Sequence, residues 1–297
     1  MTQQRVKLYQ GSANTCSYLD GREAVNIYAD PHHPQPRAVY NQLIQRGFRR
    51  SGEYVYRPGC HGCNACVPVR IRCAEFKPRR TDRRLMAKND DLEIDYCEAR
   101  YSEEYFALYR RYLGARHAGG GMDDPDPEDF ERFLLNPWGE TLFVELRQRG
   151  RLVAIAVTDV VTDGLSAVYT FFDPDLVDRA PGRFGILCQI ELCKVLDYSH
   201  LYLGYWVDGC RKMQYKTDFR PQEHFDGHHW RIEPKSEPVA ERRQESVSEP
   251  VSEFGTALGA EADRTAASSD VRRPPHDQYH ADTARTCPSG PSRRGVA

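Results

Sequence analysis

The sequence predicts an α+β protein in three parts: a small basic, cysteine-rich domain over residues 1–88, a sheet-and-helix domain over 92–234, and a disordered tail over 235–297. Three observations predict this. Four of the ten cysteines crowd between Cys60 and Cys73. Apolar or alternating runs separated by turn residues precede a helix-periodic segment and one more apolar run. From Lys235 the composition turns to Ser, Pro, Glu, Arg and Ala, with Phe254 and Tyr279 the only aromatic residues, too little apolar surface to offset the entropy of ordering.

In chain order, Arg37 to Arg46 reads as a helix closed by Gly47, and Ser51-Gly52 separates two short extended pieces around Phe48 and Tyr54 to Arg57. The cysteine run Cys60-His61-Gly62-Cys63-Asn64-Ala65-Cys66 leads into the alternating Val67 to Arg72. Tyr101 to Ala115 reads as a helix. The acidic, glycine-rich Gly119 to Asp129 is a loop entering another helix, with Asp and Pro suited to its first turn. Leu142–Leu146, Leu152–Val160 and Leu165–Phe172 are strands joined at Gln148-Arg149-Gly150 and Asp163-Gly164, the residues tight hairpins require. Phe184 to Asp197 repeats Leu187, Cys188, Leu192, Val195 and Leu196 at helical spacing before a strand from Leu201 to Tyr205. Three antiparallel strands, a helix and a further strand are the core order of the GCN5-related N-acetyltransferase (GNAT) fold, which by itself identifies no acceptor.

The length of 297 residues allows about two domains, and a hydrophobic content of 40% suits a packed core, while a mean hydropathy of -0.69 points to a part that is not packed. The net charge of -2 hides an asymmetry. Residues 1–88 carry 16 Lys and Arg against 6 Asp and Glu, so the remainder is acidic. Within that basic part Arg70, Arg72, Lys77, Arg79, Arg80, Arg83, Arg84 and Lys88 stand close together, opposed only by Glu75 and Asp82, as expected for a nucleic-acid partner. No stretch approaches the ~20 apolar residues of a membrane span and Met1 to Gln10 lacks a signal-peptide core, so a cytoplasmic protein is expected.

The chemistry-bearing stretch is Trp206 to Lys216, which follows a predicted strand. Tyr205, Asp208, Lys212, Tyr215 and Lys216 there could aim donors, acceptors and a proton relay into a cleft, as group transfer requires. Cys60, Cys63 and Cys66, with Cys16 as a fourth ligand and His61 as a substitute, are candidates for a structural zinc or an iron–sulfur cluster. Arg179-Ala180-Pro181-Gly182-Arg183-Phe184 approximates the phosphate-cradling turn of CoA enzymes, but bulky Phe184 stands where a small residue is needed. His117 to Asp124 could form a substrate lid.

Taken together, Cys16-Ser17-Tyr18-Leu19, Gly47-Phe48-Arg49-Arg50-Ser51-Gly52, Tyr56-Arg57-Pro58 through Cys66 to Val67-Pro68-Val69-Arg70, Gly119-Gly120-Gly121-Met122, and Tyr202 to Trp206 with Cys210, Lys212-Met213, Tyr215-Lys216 and Phe219 resemble the bacterial aspartate/glutamate leucyltransferases, relatives of the arginyl-tRNA–protein transferases. The match spans roughly Tyr9 to Arg231, with Asp20 and Ala118 standing where the family pattern has proline. The resemblance implies transfer of leucine from leucyl-tRNA to the α-amine of proteins beginning with Asp or Glu, marking them for degradation by the N-end rule. It needs no cofactor for the chemistry. Asp208 or Tyr215 would handle the proton, Lys212 or Lys216 the tRNA terminus or oxyanion, and Arg57 or Arg183 the acceptor's acidic side chain. The alternatives are an arginyl-tRNA donor on the same scaffold, a CoA-dependent N-acetyltransferase, and a non-enzymatic, metal-stapled RNA-binding module.

Overall fold

The computed structural model describes residues 6–116 and 124–233. Along the chain these are strands β1 (Leu8–Gln10), β2 (Asn14–Thr15), β3 (Glu23–Ala24) and β4 (Asn26–Ala29), helix α1 (Pro36–Ile44), and strands β5 (Arg49–Ser51), β6 (Tyr54–Pro58) and β7 (Cys66–Arg72). Then follow α2 (Arg80–Lys88), β8 (Glu93–Glu98), α3 (Glu103–Arg116), α4 (Pro127–Leu134), β9 (Glu140–Gln148), β10 (Arg151–Val161) and β11 (Gly164–Phe172). The last are α5 (Pro181–Val195), β12 (His200–Val207), β13 (Gln222–Phe225) and β14 (Trp230–Ile232), with a 3₁₀ segment, Arg211–Asp218, between β12 and β13. The expected lid at 117–124 lies almost wholly, and the expected tail at 235–297 entirely, outside the described residues.

Eight strands form the main sheet in the order β14-β13-β7-β12-β11-β10-β9-β8, and four form a second sheet in the order β1-β4-β6-β5. The sheet crosses the boundary expected near residues 88–92: β7, from the cysteine-bearing segment, lies between β12 and β13. Strand β10 shows why its sequence is a continuous apolar run. Ala154 and Ala156 pack toward α5, while Ile155 and Val157 pack toward α3 and α4, so both faces are buried. A register shift between Leu152 and Ala154 accounts for Val153 and Ala154 both facing α5. Under α3 and α4, Phe130, Phe143 and Phe171 are fully buried and meet mostly edge to face.

The feature that positions the site is the join between β11 and β12. These strands run parallel, but pair only at Gly164↔His200, Leu165↔Leu201 and Ser166↔Tyr202. Beyond Ser166 and Tyr202 they diverge. The pinch is tight enough to demand glycine, since a Cβ on Gly164 would stand 2.0 Å from the His200 carbonyl oxygen. On the diverging side β12 carries an irregularity between Tyr202 and Gly204, with Gly204 at φ +73°. The result is a V whose arms are the later parts of β11 and β12, opening toward the 3₁₀ segment.

Candidate active site

Arg49 and Arg50 are neighbours on β5 and therefore point to opposite faces. Arg50 is anchored. Its guanidinium is buried, meets both Asp159 oxygens at 2.7 and 2.8 Å, and donates to the carbonyls of Gly52, Leu134 and Leu135. Asp159 also accepts from Thr141 Oγ1 at 2.6 Å and Tyr40 Oη at 3.2 Å. Burial and the Asp159 charge push the Tyr40 hydroxyl far up, so it stays a donor.

With Arg50 held on one side, Arg49 enters the V from the other. Its Nη2 donates to the Val168 carbonyl of β11 at 3.3 Å, and a Cβ on Gly204 of β12 would come within 3.2 Å of its Nη1. It thus bridges the two arms. Its guanidinium carbon lies 6.0 Å from the Tyr56 ring centre and 5.9 Å from that of Tyr205. Burial lowers its proton affinity, but Tyr56, Tyr18, Tyr205 and Tyr40 raise it by more, so the charge is held.

Lys216 is 6% exposed and donates from Nζ to the carbonyls of Leu203 at 2.8 Å and Tyr205 at 2.7 Å. These carbonyls belong to the part of β12 that β11 no longer covers, so the splay leaves them in need of a donor. Burial first, and Arg49 second, draw the Lys216 ammonium down to about 7. Two carbonyls occupy two positions on the nitrogen. The third holds a proton below about pH 7 and a lone pair above it.

The remaining sequence-predicted residues divide by position. Tyr205 is buried, with its hydroxyl donating to the Gly47 carbonyl at 2.9 Å, and burial raises its pKa well above the usual value, which makes it a wall of the V rather than an acid. Tyr215 is 37% exposed; burial raises its hydroxyl and Arg49 opposes the shift, which places the two near one another. Asp208 and Lys212 are exposed on the rim. Arg183 is tied to Asp218 and, at 3.5 Å, to Asp82, while Arg79 meets the same two carboxylates at 3.3 Å each, so both brace α2 against the 3₁₀ segment. Arg57 is exposed and stacks 5.5 Å from the Phe48 ring centre. Arg72 pairs with Glu75. Arg80, Arg83 and Arg84 are exposed on α2.

Arg70 departs from the sequence expectation of a surface contact. It is 8% exposed, bonded to Glu223 at 2.6 Å and to the Tyr202 hydroxyl and Gln45 at 3.1 Å, and lies 4.4 Å from the Trp230 ring centre. It joins His200 and Asp163 in a polar knot at the closed end of the V, a structural role.

Cys16, Cys60, Cys63 and Cys66 do gather at one place. Burial first, then Cys60, Cys16, Cys63 and Cys210, push the Cys66 thiol up to about 11. Yet among the described residues no three His, Cys, Asp or Glu side chains converge as a shared metal requires, and the Cys60 sulfur lies against the Val25 backbone, 3.4 Å from N and 3.7 Å from O. All four are free thiols in this arrangement. The segment is nonetheless part of the site's wall, because Tyr18 and Leu19 pack on Tyr205, Val207 and Cys210.

Two family models match this chain. Residues 14–84 match the N terminus, and residues 104–226 the C terminus, of arginine-tRNA-protein transferases. The chain belongs to the arginine-tRNA-protein transferase family. Those two matches contain β5, with Arg49, and β12 through Lys216, so the V is built from both of the family's halves. Similar proteins within this transferase family include the aspartate/glutamate leucyltransferases of Stenotrophomonas maltophilia, 47% identical over 76% of this chain and 92% of the relative, and of Alcanivorax borkumensis, 44% identical over 76% and 93%. That of Hahella chejuensis is 48% identical over 72% and 91%. Arg49 carries no sequence signal that sets it apart from Arg50; only the partner of Arg50, Asp159, reveals which arginine faces the V.

Proposed function

We propose that this protein transfers leucine from leucyl-tRNA to the α-amine of proteins that begin with Asp or Glu, labelling them for N-end rule degradation. The observation that carries the reading is the 44–48% identity to aspartate/glutamate leucyltransferases over about nine-tenths of their length. The V supports it physically. Antiparallel β9, β10 and β11, then α5, then a parallel and diverging β12 is the GNAT order, and acyl-transfer enzymes of that architecture work between splayed strands.

In the proposed reaction the acceptor's neutral amine attacks the ester carbonyl, an N–C bond forms, the ester C–O bond breaks, and the terminal ribose hydroxyl leaves with the proton the amine gives up. The ester is already activated, so alignment and charge stabilisation suffice. A free α-amine has a pKa of about 7.7–8, so a base near neutrality is matched to it. Lys216 is proposed to relay that proton, Arg49 to face the developing oxyanion, and Asp208, Lys212 and Tyr215 to form the rim through which the acceptor enters. Arg57 and Arg183 are proposed as the cations that meet the acceptor's acidic side chain. The exposed arginines of α2 are proposed to hold the tRNA body, with an affinity that falls as salt rises.

The test is a charged-tRNA exchange. Radiolabelled leucine is expected to pass from leucyl-tRNA to an Asp-initiated peptide and not to a Lys-initiated one, with arginyl-tRNA giving little product. Transfer from arginyl-tRNA alone would reassign the donor, and no transfer from either would remove the reading.

A further inference from the structure

The second sheet carries an arrangement that the reaction as described does not use. Cross-strand partners in the order β1-β4-β6-β5 are Tyr9↔Tyr28, Tyr28↔Tyr56 and Tyr56↔Arg49. Directly opposed residues in a sheet share a face, so three tyrosines and Arg49 form one row running across the strands. At about 4.8 Å per strand the row spans on the order of 14 Å from Tyr9 to Arg49. Tyr28 and Tyr56 have ring centres 5.9 Å apart, Tyr54 joins Tyr28 at 6.1 Å, and Tyr56 continues to Tyr205 in the V at 6.4 Å.

The outer end of the row is open. Tyr9 is 49% and Tyr54 45% exposed, and with Tyr28 and His32 they line a concavity of about 560 Å³. Packing within this sheet does not require such exposure of large rings. One local feature keeps the surface clear: a Cβ on Gly11 would stand 2.7 Å from the Tyr28 ring, so the absent side chain leaves room for that ring beside β1.

Aromatic rings in a row, exposed at the Tyr9 end, half-buried at Tyr28 and Tyr56 and ending at a guanidinium, resemble the stacking platforms that sequence-tolerant binding of single-stranded nucleic acid uses. An acidic peptide would instead require a row of cations, whereas Asp30 is the charged side chain lining the outer concavity. We propose that Tyr9, Tyr28 and Tyr56, with Tyr54 beside them, are a stacking track for the unpaired 3′ nucleotides of the charged tRNA, delivering the esterified adenosine to Arg49 in the V. This rests on the tRNA-dependent reading above and assigns that substrate a path.

Tyr9→Ala and Tyr54→Ala make the test clean, because both rings are about half exposed and lie outside the main core. Stacking is worth about 1–3 kcal/mol per base, so each is expected to weaken binding of a labelled single-stranded RNA tetramer, ACCA, roughly 5- to 150-fold. The KM for leucyl-tRNA should rise by a similar factor, with kcat and the KM for the acceptor peptide unchanged, and Tyr9→Phe should retain wild-type binding because it keeps the ring. Unchanged tetramer binding and tRNA KM in both alanine variants, in an enzyme that still transfers leucine, would overturn the track while leaving the function standing. A rise in the peptide KM alone would overturn it in favour of an acceptor groove. Ring-dependent tetramer binding by a protein that transfers no amino acid would support the track and refute the leucyltransferase reading. A photocrosslink from 4-thiouridine placed in the 3′ end to the segment containing Tyr9 or Tyr28 is the expected mutation-free confirmation, and crosslinks confined to α2 would contradict it.

Discussion

Arg50→Ala is expected to cost about 3–5 kcal/mol of stability, because it leaves the Asp159 carboxylate buried with only Thr141 and Tyr40 as donors. Asp159→Ala should cost a similar amount by stranding the guanidinium. Urea midpoints for the two single variants and the double variant measure this, and the double should lose clearly less than the sum, since neither charge is then left alone. Arg50→Lys should not rescue, because an ammonium cannot make the two parallel contacts to Asp159 and also reach the carbonyls of Gly52 and Leu134. A loss below about 1 kcal/mol in Arg50→Ala would show that Arg50 does not anchor β5. The consequence is functional as well as thermodynamic, since the anchor decides that Arg49, and not Arg50, faces the V.

The second large effect concerns Lys216. Lys216→Met keeps the length of the stem but removes the nitrogen, and leucine transfer should fall roughly 10²- to 10⁴-fold in kcat with little change in the peptide KM. Beside the limb near pH 7.7–8 that the acceptor amine gives both enzymes, the wild-type kcat at saturating peptide should carry a further limb near pH 7 that the variant lacks, rising with pH as the nitrogen loses its proton. Stability gives an independent sign. The folded value of about 7 lies below the unfolded value of 10.5, so between them the unfolded chain binds the extra proton. Wild-type stability therefore gains up to about 1.4 kcal/mol per pH unit over that window from this group, is penalised in full below it, and the gain is absent in Lys216→Met. A variant that retained both the further pH limb and the rate would exclude Lys216 from the proton path.

How much of this was readable before the fold was known follows from the range of each signal. Helices α1, α3 and α5 and strands β9 to β12 carry their own periodicity and end at turn residues such as Gly47, Arg149-Gly150 and Asp163-Gly164, so local sequence located them. Strands β1 to β3 are too short to show a pattern, and β8 is an edge strand whose Glu93-Ile94-Asp95 is exposed. Helix α2 is too polar to show a face; its fully buried side chain is Asp82, which accepts from the Arg79 backbone N–H and takes ion pairs from Arg79 and Arg183. The Trp206 to Lys216 stretch stood out in the sequence because its residue types are costly to collect without cause, and the fold places it beside the V. The burial of Lys216 was not legible, because it follows from where β11 stops pairing with β12, at Ser166, about fifty residues earlier in the chain. Arg70 misled for the same reason. Its partners Glu223, Tyr202 and Trp230 lie more than 130 residues downstream, so a basic run looked like open surface. The tyrosine row is invisible in the sequence, since Tyr9, Tyr28 and Tyr56 become neighbours only through strand order.

The ester is proposed to react inside the V, between Val168 of β11 and Gly204 of β12. A crystal structure with 3′-leucylamido-adenosine, in which an amide replaces the labile ester, tests it most directly. The leucyl carbonyl should lie between those two residues within hydrogen-bond reach of Arg49, with the adenine at the Tyr56 end of the tyrosine row. An analogue that competes with leucyl-tRNA but is found away from the V, with Arg49 still bonded to the Val168 carbonyl as before, would contradict the account.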